Sequence, residues 1–209
     1  MSQWFFTSDL HGQGAHYEQV MALAAAERPA AVLLGGDLGP HAHGAPGVQH
    51  QRVFLEGFLV EFARRLRETV PGVELALLFG NDDWAANHDV LERHHGTLWH
   101  ALHGRTVELH GHAVAGLSWV PITPFAMKDW ERWEDGGDES PARLHGTLSG
   151  AEGVREFRFD PERRSPTIAE GLTALASTGD MSRTIHVLHS PPRDTSAARC
   201  LAASRCRCS

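Results

Sequence analysis

Four short apolar runs punctuate the chain, and each stops at a glycine or a polar, chemistry-bearing residue. They are Trp4-Phe5-Phe6, Ala31-Val32-Leu33-Leu34, Leu75-Ala76-Leu77-Leu78-Phe79 and Ile185-His186-Val187-Leu188. Runs of this length, bounded by Gly and Pro, predict buried strands, here at about 3–8, 31–35, 73–79 and 184–189. Between them the period changes. An Ala-rich stretch, about 15–27, predicts a helix ended by Arg28-Pro29. A second helix, about 49–69, places Val53, Phe54, Phe58, Phe62 and Leu66 at steps of three and four, which predicts one buried face, and Pro71-Gly72 ends it. A short helix should run to about His94, and another should cover about 167–177. Thr97 to Leu102, Thr106 to His110 and Ala113 to Trp119 predict a strand followed by a hairpin. Alternating strands and crossover helices, with a later antiparallel part, predict an α/β layered fold whose site lies at the carboxyl ends of the strands.

From Val120 to about Pro166 the chain is polar, and it is long for a structureless loop. It predicts a functional insertion or a cap. Within it, Lys128, Asp129, Trp130, Arg132 and Trp133 either cover the site or bury their own aromatics as a surface element.

Composition narrows the class. At 209 residues the chain fits one domain, read as 1–195 with the 120–166 insertion, followed by a Cys/Arg-rich tail at 196–209. Hydrophobic content of 42% and charged content of 22% are ordinary for a globular protein. A net charge of −7 argues against nonspecific nucleic-acid binding. No apolar run is long enough to span a bilayer, and no basic leader precedes the first strand, so a cytoplasmic location without membrane partners is expected. All three cysteines (Cys200, Cys206 and Cys208) lie in the tail, so the body cannot be disulfide-stapled. Most of the 15 histidines share no geometry that the sequence reveals.

The chemistry sits where the apolar runs end. Asp9-Leu10-His11, Gly36-Asp37, Gly80-Asn81-Asp82-Asp83 and His189 each follow a predicted strand, and ligands at the ends of neighbouring strands converge in space. A carboxylate such as Asp37 can bridge two cations. Gly36 before it lets backbone and metal approach closely. Mixed carboxylate, imidazole and amide donors suit manganese, iron or zinc better than calcium.

Taken in order, Asp-x-His, Gly-Asp, Gly-Asn-x-Asp and a later strand-end His resemble the calcineurin-like metallophosphoesterases, over nearly the whole chain. The resemblance implies a four-layer αββα sandwich with a dimetal centre at its upper edge. Asp9 and His11 would bind the first ion, Asp37 would bridge, and Asn81 and His189 would bind the second. It also implies hydrolysis of a small phosphomonoester or phosphodiester by a hydroxide held between two divalent ions, with manganese, iron or zinc as the metal.

Three departures qualify that reading. The second motif lacks the further Asp of the family and reads Gly36-Asp37-Leu38-Gly39-Pro40. Asp82 stands where the family carries the His that protonates the leaving group, so Asp82 is the candidate catalytic acid. No Gly-His-x-His follows His189, which implies a sandwich without its last strand or strands. His110-Gly111-His112 looks similar but precedes the fourth motif and is expected to be a decoy. His41 and His43 are expected in a solvated loop. The ending Arg199-Cys200-Leu201-Ala202-Ala203-Ser204-Arg205-Cys206-Arg207-Cys208-Ser209 resembles the product of a frameshift or truncation. The competing expectation is therefore a scaffold, or a truncated copy, with little or no catalysis.

Overall fold

The computed structural model describes residues 3–135, 143–177 and 179–191. The tail at 196–209, with its three cysteines, lies outside the described residues. The chain is a mixed α/β protein with parallel sheets. Strands β1 (Trp4–Thr7), β2 (Ala31–Leu34), β3 (Glu74–Leu77) and β4 (His100–Ala101) form one parallel sheet in that order. A second sheet has the order β11-β6-β5, from β5 (Arg105–Leu109), β6 (His112–Leu117) and β11 (Thr184–Leu188). In it β11 runs parallel to β6, and β5 and β6 form the expected hairpin.

Side-chain alternation along the strands explains how the layers stack. Val32, Leu34, Leu75 and Leu77 point to one face. There they pack with Tyr17, Met21 and Ala24 of α1 (Gly14–Glu27) and with Leu55, Leu59, Phe62 and Leu66 of the long second helix. Leu33, Ala76 and Leu78 point the other way, onto Leu109, Val114 and Val187 of the second sheet. A strand buried on both faces must be apolar throughout, and β2 is Ala-Val-Leu-Leu with every residue buried. The outer side of the second sheet is covered by α5 (Ile168–Ala176), where Leu175 packs on Ala115 and Leu117. A capping box starts α5: the Thr167 side chain accepts from the Glu170 N–H, and Glu170 accepts from the Thr167 N–H.

The second helix departs from the sequence expectation. It begins at Gly44 and runs as α2 (Gly44–Phe54), a π-turn (Leu55–Leu59) and α3 (Val60–Thr69). The π-turn inserts an extra residue into the repeat and rotates the face. Leu55 and Leu59 are buried while Val53, expected in the core, is 60% exposed. The short helix is α4 (His88–Arg93).

The described part of 120–166 is ordered structure. β7 (Val120–Pro121) pairs with β8 (Glu131–Arg132), and β9 (His145–Gly150) forms a hairpin with β10 (Gly153–Arg158). Ser149 of that hairpin accepts from the Ala86 N–H through its hydroxyl at 2.8 Å, which ties the insertion to the short turn Ala85–Asn87 after β3. Trp130 is buried in the main core, so this segment buries its own aromatics against the domain.

One buried histidine gives the fold an acid limit. His103 Nδ1 accepts from the Ser118 N–H at 3.1 Å, and its ring lies 4.9 Å from that of Trp130. Burial, reinforced by His88, Arg132 and Arg105, pushes its pKa down to about 4, below the ordinary 6.5. The unfolded chain therefore takes up this proton first as pH falls. The stabilisation is complete above about pH 6.5 and is lost progressively toward pH 4, by up to about 3 kcal/mol. Urea midpoints should fall more steeply between pH 7 and 4.5 for the native protein than for His103→Asn. Parallel pH dependence in the two proteins would refute the assignment.

Candidate metal centre

Three loops meet at the carboxyl edge of the first sheet, and backbone hydrogen bonds carry the strand pairing past the strand ends. Asp9 N–H donates to Gly36 O at 3.0 Å, His11 N–H to Asp37 O at 2.8 Å, and Gly12 N–H to Leu38 O at 2.9 Å. Asp9, His11 and Asp37 all adopt left-handed backbone, with φ of 58°, 46° and 53°. Such conformations cost roughly 1–3 kcal/mol each and cluster where the surroundings hold a functional geometry. The result turns all three side chains toward one point.

Asp37 lies at that point. Its Oδ2 is 3.8 Å from His11 Nε2 and 3.5 Å from His189 Nε2, and Asp9 Oδ1 is 3.9 Å from the same His11 nitrogen. Asp37 Oδ1 accepts from the Asp82 N–H at 2.8 Å. His189 Nδ1–H donates to Gly35 O at 2.9 Å, and its Nε2 lies 3.1 Å from Asn81 Oδ1. Burial opposes a positive charge on this ring, but the Asp37 carboxylate outweighs it and raises the His189 pKa to about 9. The same pairing overcomes burial at Asp37 and lowers its pKa. A cation on Nε2 would leave the ring held through Nδ1 by the Gly35 carbonyl.

Two glycines make the approach possible. A Cβ on Gly36 would stand 2.5 Å from His189 Nδ1, and one on Gly80 would strike the Asp37 carboxylate and the His189 ring.

The donor chemistry fits divalent ions. Asp9, Asp37 and His189 can place one ligand atom each within 4.8 Å of one another. The nitrogen–oxygen separations of 3.5–3.9 Å need contract only slightly to reach the spacing of donors sharing one ion, about 3–3.5 Å. Asn81, touching His189 Nε2, adds the neutral oxygen. All five residues expected as ligands therefore gather at one edge.

Other residues also hold this edge, and of these Gln51 was not singled out from sequence. Asp83 is buried and accepts the backbone N–H groups of Leu38 (3.0 Å), Gly39 (2.9 Å) and Gly80 (2.9 Å), joining the second and third loops. Burial, with Asp37 adding, raises its pKa to about 7 despite those donors. Gln51 on α2 donates to Pro40 O and Asp82 O and accepts from the Trp84 N–H. Trp130 Nε1 donates to Asp83 O at 2.7 Å, and Asp129 accepts from the Ala85 N–H at 2.8 Å. No local sequence signal marks such partners, apart from the rarity of a buried Asp or Gln.

His41 lies exposed in a loop, as expected, but it also reaches the edge of the site. It stacks on His11 with ring centroids 3.9 Å apart, and its Nδ1 contacts Asp82 Oδ2. His110-Gly111-His112 lies at the opposite edge: His110 bonds to Ala30 O, before β2, and His112 packs on Trp4 at the start of β1.

No family model and no curated protein matches the chain. Among solved structures it is similar to the crystal structure of TT1561 of Thermus thermophilus. That likeness has 21% identity over 56% of this chain and 49% of that one, with a TM-score of 0.41. A second solved structure is similar at 13% identity over 56% of this chain and 53% of that one, with a TM-score of 0.43. The chain thus spans about half the length of each.

Proposed function

We propose that this chain is a metal-dependent phosphoesterase of the metallophosphoesterase type, acting on a small phosphomonoester or phosphodiester. The observation that carries the reading is the position of Asp37 Oδ2 between His11 Nε2 and His189 Nε2, at the ends of neighbouring strands. The stacking of helices, first sheet, second sheet and α5 supports the αββα sandwich that goes with it.

Asp9, His11, Asp37, Asn81 and His189 would hold two divalent ions of manganese, iron or zinc. When bound, such a pair lowers the pKa of water and neutralises charge in an in-line displacement at phosphorus. The protein's own groups supply orientation and a proton. Gly35 O fixes the His189 ring, Asp83 fixes the loops that carry Asp37 and Asn81, and the Asp82 N–H holds the Asp37 carboxylate. Asp82, whose Oδ2 contacts His41 Nδ1 and lies 3.7 Å from His11 Nδ1, stands beside the centre and would be the group that protonates the leaving oxygen.

The test is hydrolysis of an aryl phosphodiester and an aryl phosphomonoester with added manganese, against a chelated control. Turnover that appears with manganese and vanishes with chelator is expected. Metal binding without turnover on either substrate would instead indicate a binding scaffold, the competing reading.

A further inference from the structure

His11 faces two clusters at once. Its Nε2 looks toward Asp9 and Asp37, while its Nδ1 is buried, has no hydrogen-bond partner, and lies 3.7 Å from Asp82 Oδ2. His41 stacks on the same ring and brings its Nδ1 to the same carboxylate oxygen. His11, His41 and Asp82 each offer one donor, and these donors lie within 4.8 Å of one another.

We infer that His11 Nδ1, His41 and Asp82 form a separate cation site that takes a zinc-class ion beside the Asp9–Asp37–His189 centre. A buried polar atom without a partner costs free energy unless something satisfies it. An ion on Nδ1 does so. Two imidazoles and one carboxylate leave coordination positions open and favour zinc, copper or nickel over magnesium and calcium. The site differs in construction from its neighbour. His41 is exposed, with a side chain at 62% accessibility, so an ion can enter and leave from solvent without opening the core.

Sharing His11 sets the order of filling. An ion on Nδ1 shares one imidazole with an ion on Nε2 and faces its positive charge, so it binds more weakly than the ions of the main centre. A functional consequence rests on the phosphoesterase reading. The ion occupies Asp82, the side chain that would protonate the leaving oxygen, so zinc above the level that fills the main centre inhibits.

The test is zinc binding to the whole chain, measured by competition with a chromophoric chelator, for the native protein and for His41→Ala, Asp82→Asn, Asp37→Asn and Asp37→Asn/His41→Ala. The native protein should bind one weak zinc ion that His41→Ala and Asp82→Asn each weaken by at least about 100-fold, more than the loss of an outer-shell partner brings. Asp37→Asn should retain that ion and the double variant should lose it. Melting curves confirm that each variant is folded. Zinc stoichiometry and affinity unchanged in both His41→Ala and Asp82→Asn would overturn the proposal. The binding result stands apart from turnover: absence of hydrolysis defeats the phosphoesterase reading and leaves the zinc count intact.

Discussion

Replacing Asp37 by Asn is expected to lower manganese-dependent turnover on the order of 10²- to 10³-fold, the scale of removing one group that stabilises charge in the reaction. The substitution isolates charge from shape. The Asn side-chain oxygen can still accept the Asp82 N–H bond, now 2.8 Å, and no buried volume changes. What disappears is the anionic Oδ2 between His11 and His189. A neutral amide cannot bridge two cations with the strength of a carboxylate. Manganese affinity should fall with turnover, and the protein without added metal should lose stability near neutral pH, because buried His189 loses the carboxylate that raises its pKa to about 9. Turnover within a few-fold of the native value would sink the dimetal reading.

Replacing Lys128 by Met is expected to cost about 3–5 kcal/mol of folding stability, the range for breaking a buried pair by removing one partner. Lys128 and Glu131 side chains are both fully inaccessible, and Nζ lies 2.6 Å from Oε2. Lys128 Nζ also donates to Thr123 O at 2.7 Å, and Glu131 accepts from the Thr123 backbone N–H at 3.1 Å. Burial pushes the Glu131 pKa up even with Lys128 in place. Without the ammonium, the protein must bury an uncompensated carboxylate or take up a proton. The loss should therefore shrink as pH is lowered toward the point where Glu131 is protonated in the unfolded chain as well. Lys128→Met/Glu131→Leu should recover much of the loss, because replacing both partners removes the unpaired charge. Equilibrium urea unfolding of the three proteins decides this. A single variant within about 1 kcal/mol of the native protein would show that the pair is not held dry.

The segment containing that pair shows why its place was ambiguous in the sequence. Lys128 to Trp133 alternates charged and aromatic residues, a pattern equally suited to a cover over the site or to a surface element. The choice depended on partners far along the chain: Trp130 inserts into the main core and reaches Asp83 O, and Asp129 reaches the Ala85 N–H. The long helix poses a related limit. Its apolar spacing identified a helix and its end, but an α-helical period cannot reveal the π-turn at Leu55–Leu59 that buries Leu55 and Leu59 and leaves Val53 exposed.

What the sequence determined by itself was local and periodic. β2 and β3 were legible because central strands buried on both faces must be continuous apolar runs. Asp37 and Asn81 were legible because each follows such a run. Asp9, His11 and His189 instead follow β1 and β11, apolar strands at the ends of their sheets that leave Phe6 and Ile185 exposed rather than buried as expected. Gly36 was legible because a close approach leaves no room for a side chain. Tertiary structure alone decided the left-handed backbone at Asp9, His11 and Asp37, the clamps from Asp83 and Gln51, and the placement of His41 on Asp82. The physical reason is range. Strand and helix patterns arise between residues a few positions apart, whereas the Asp83 bond to Leu38 spans 45 positions. A hydrogen bond of that kind leaves no mark on the residues between its ends. It exists only once neighbouring strands of one sheet have brought separate loops to the same place.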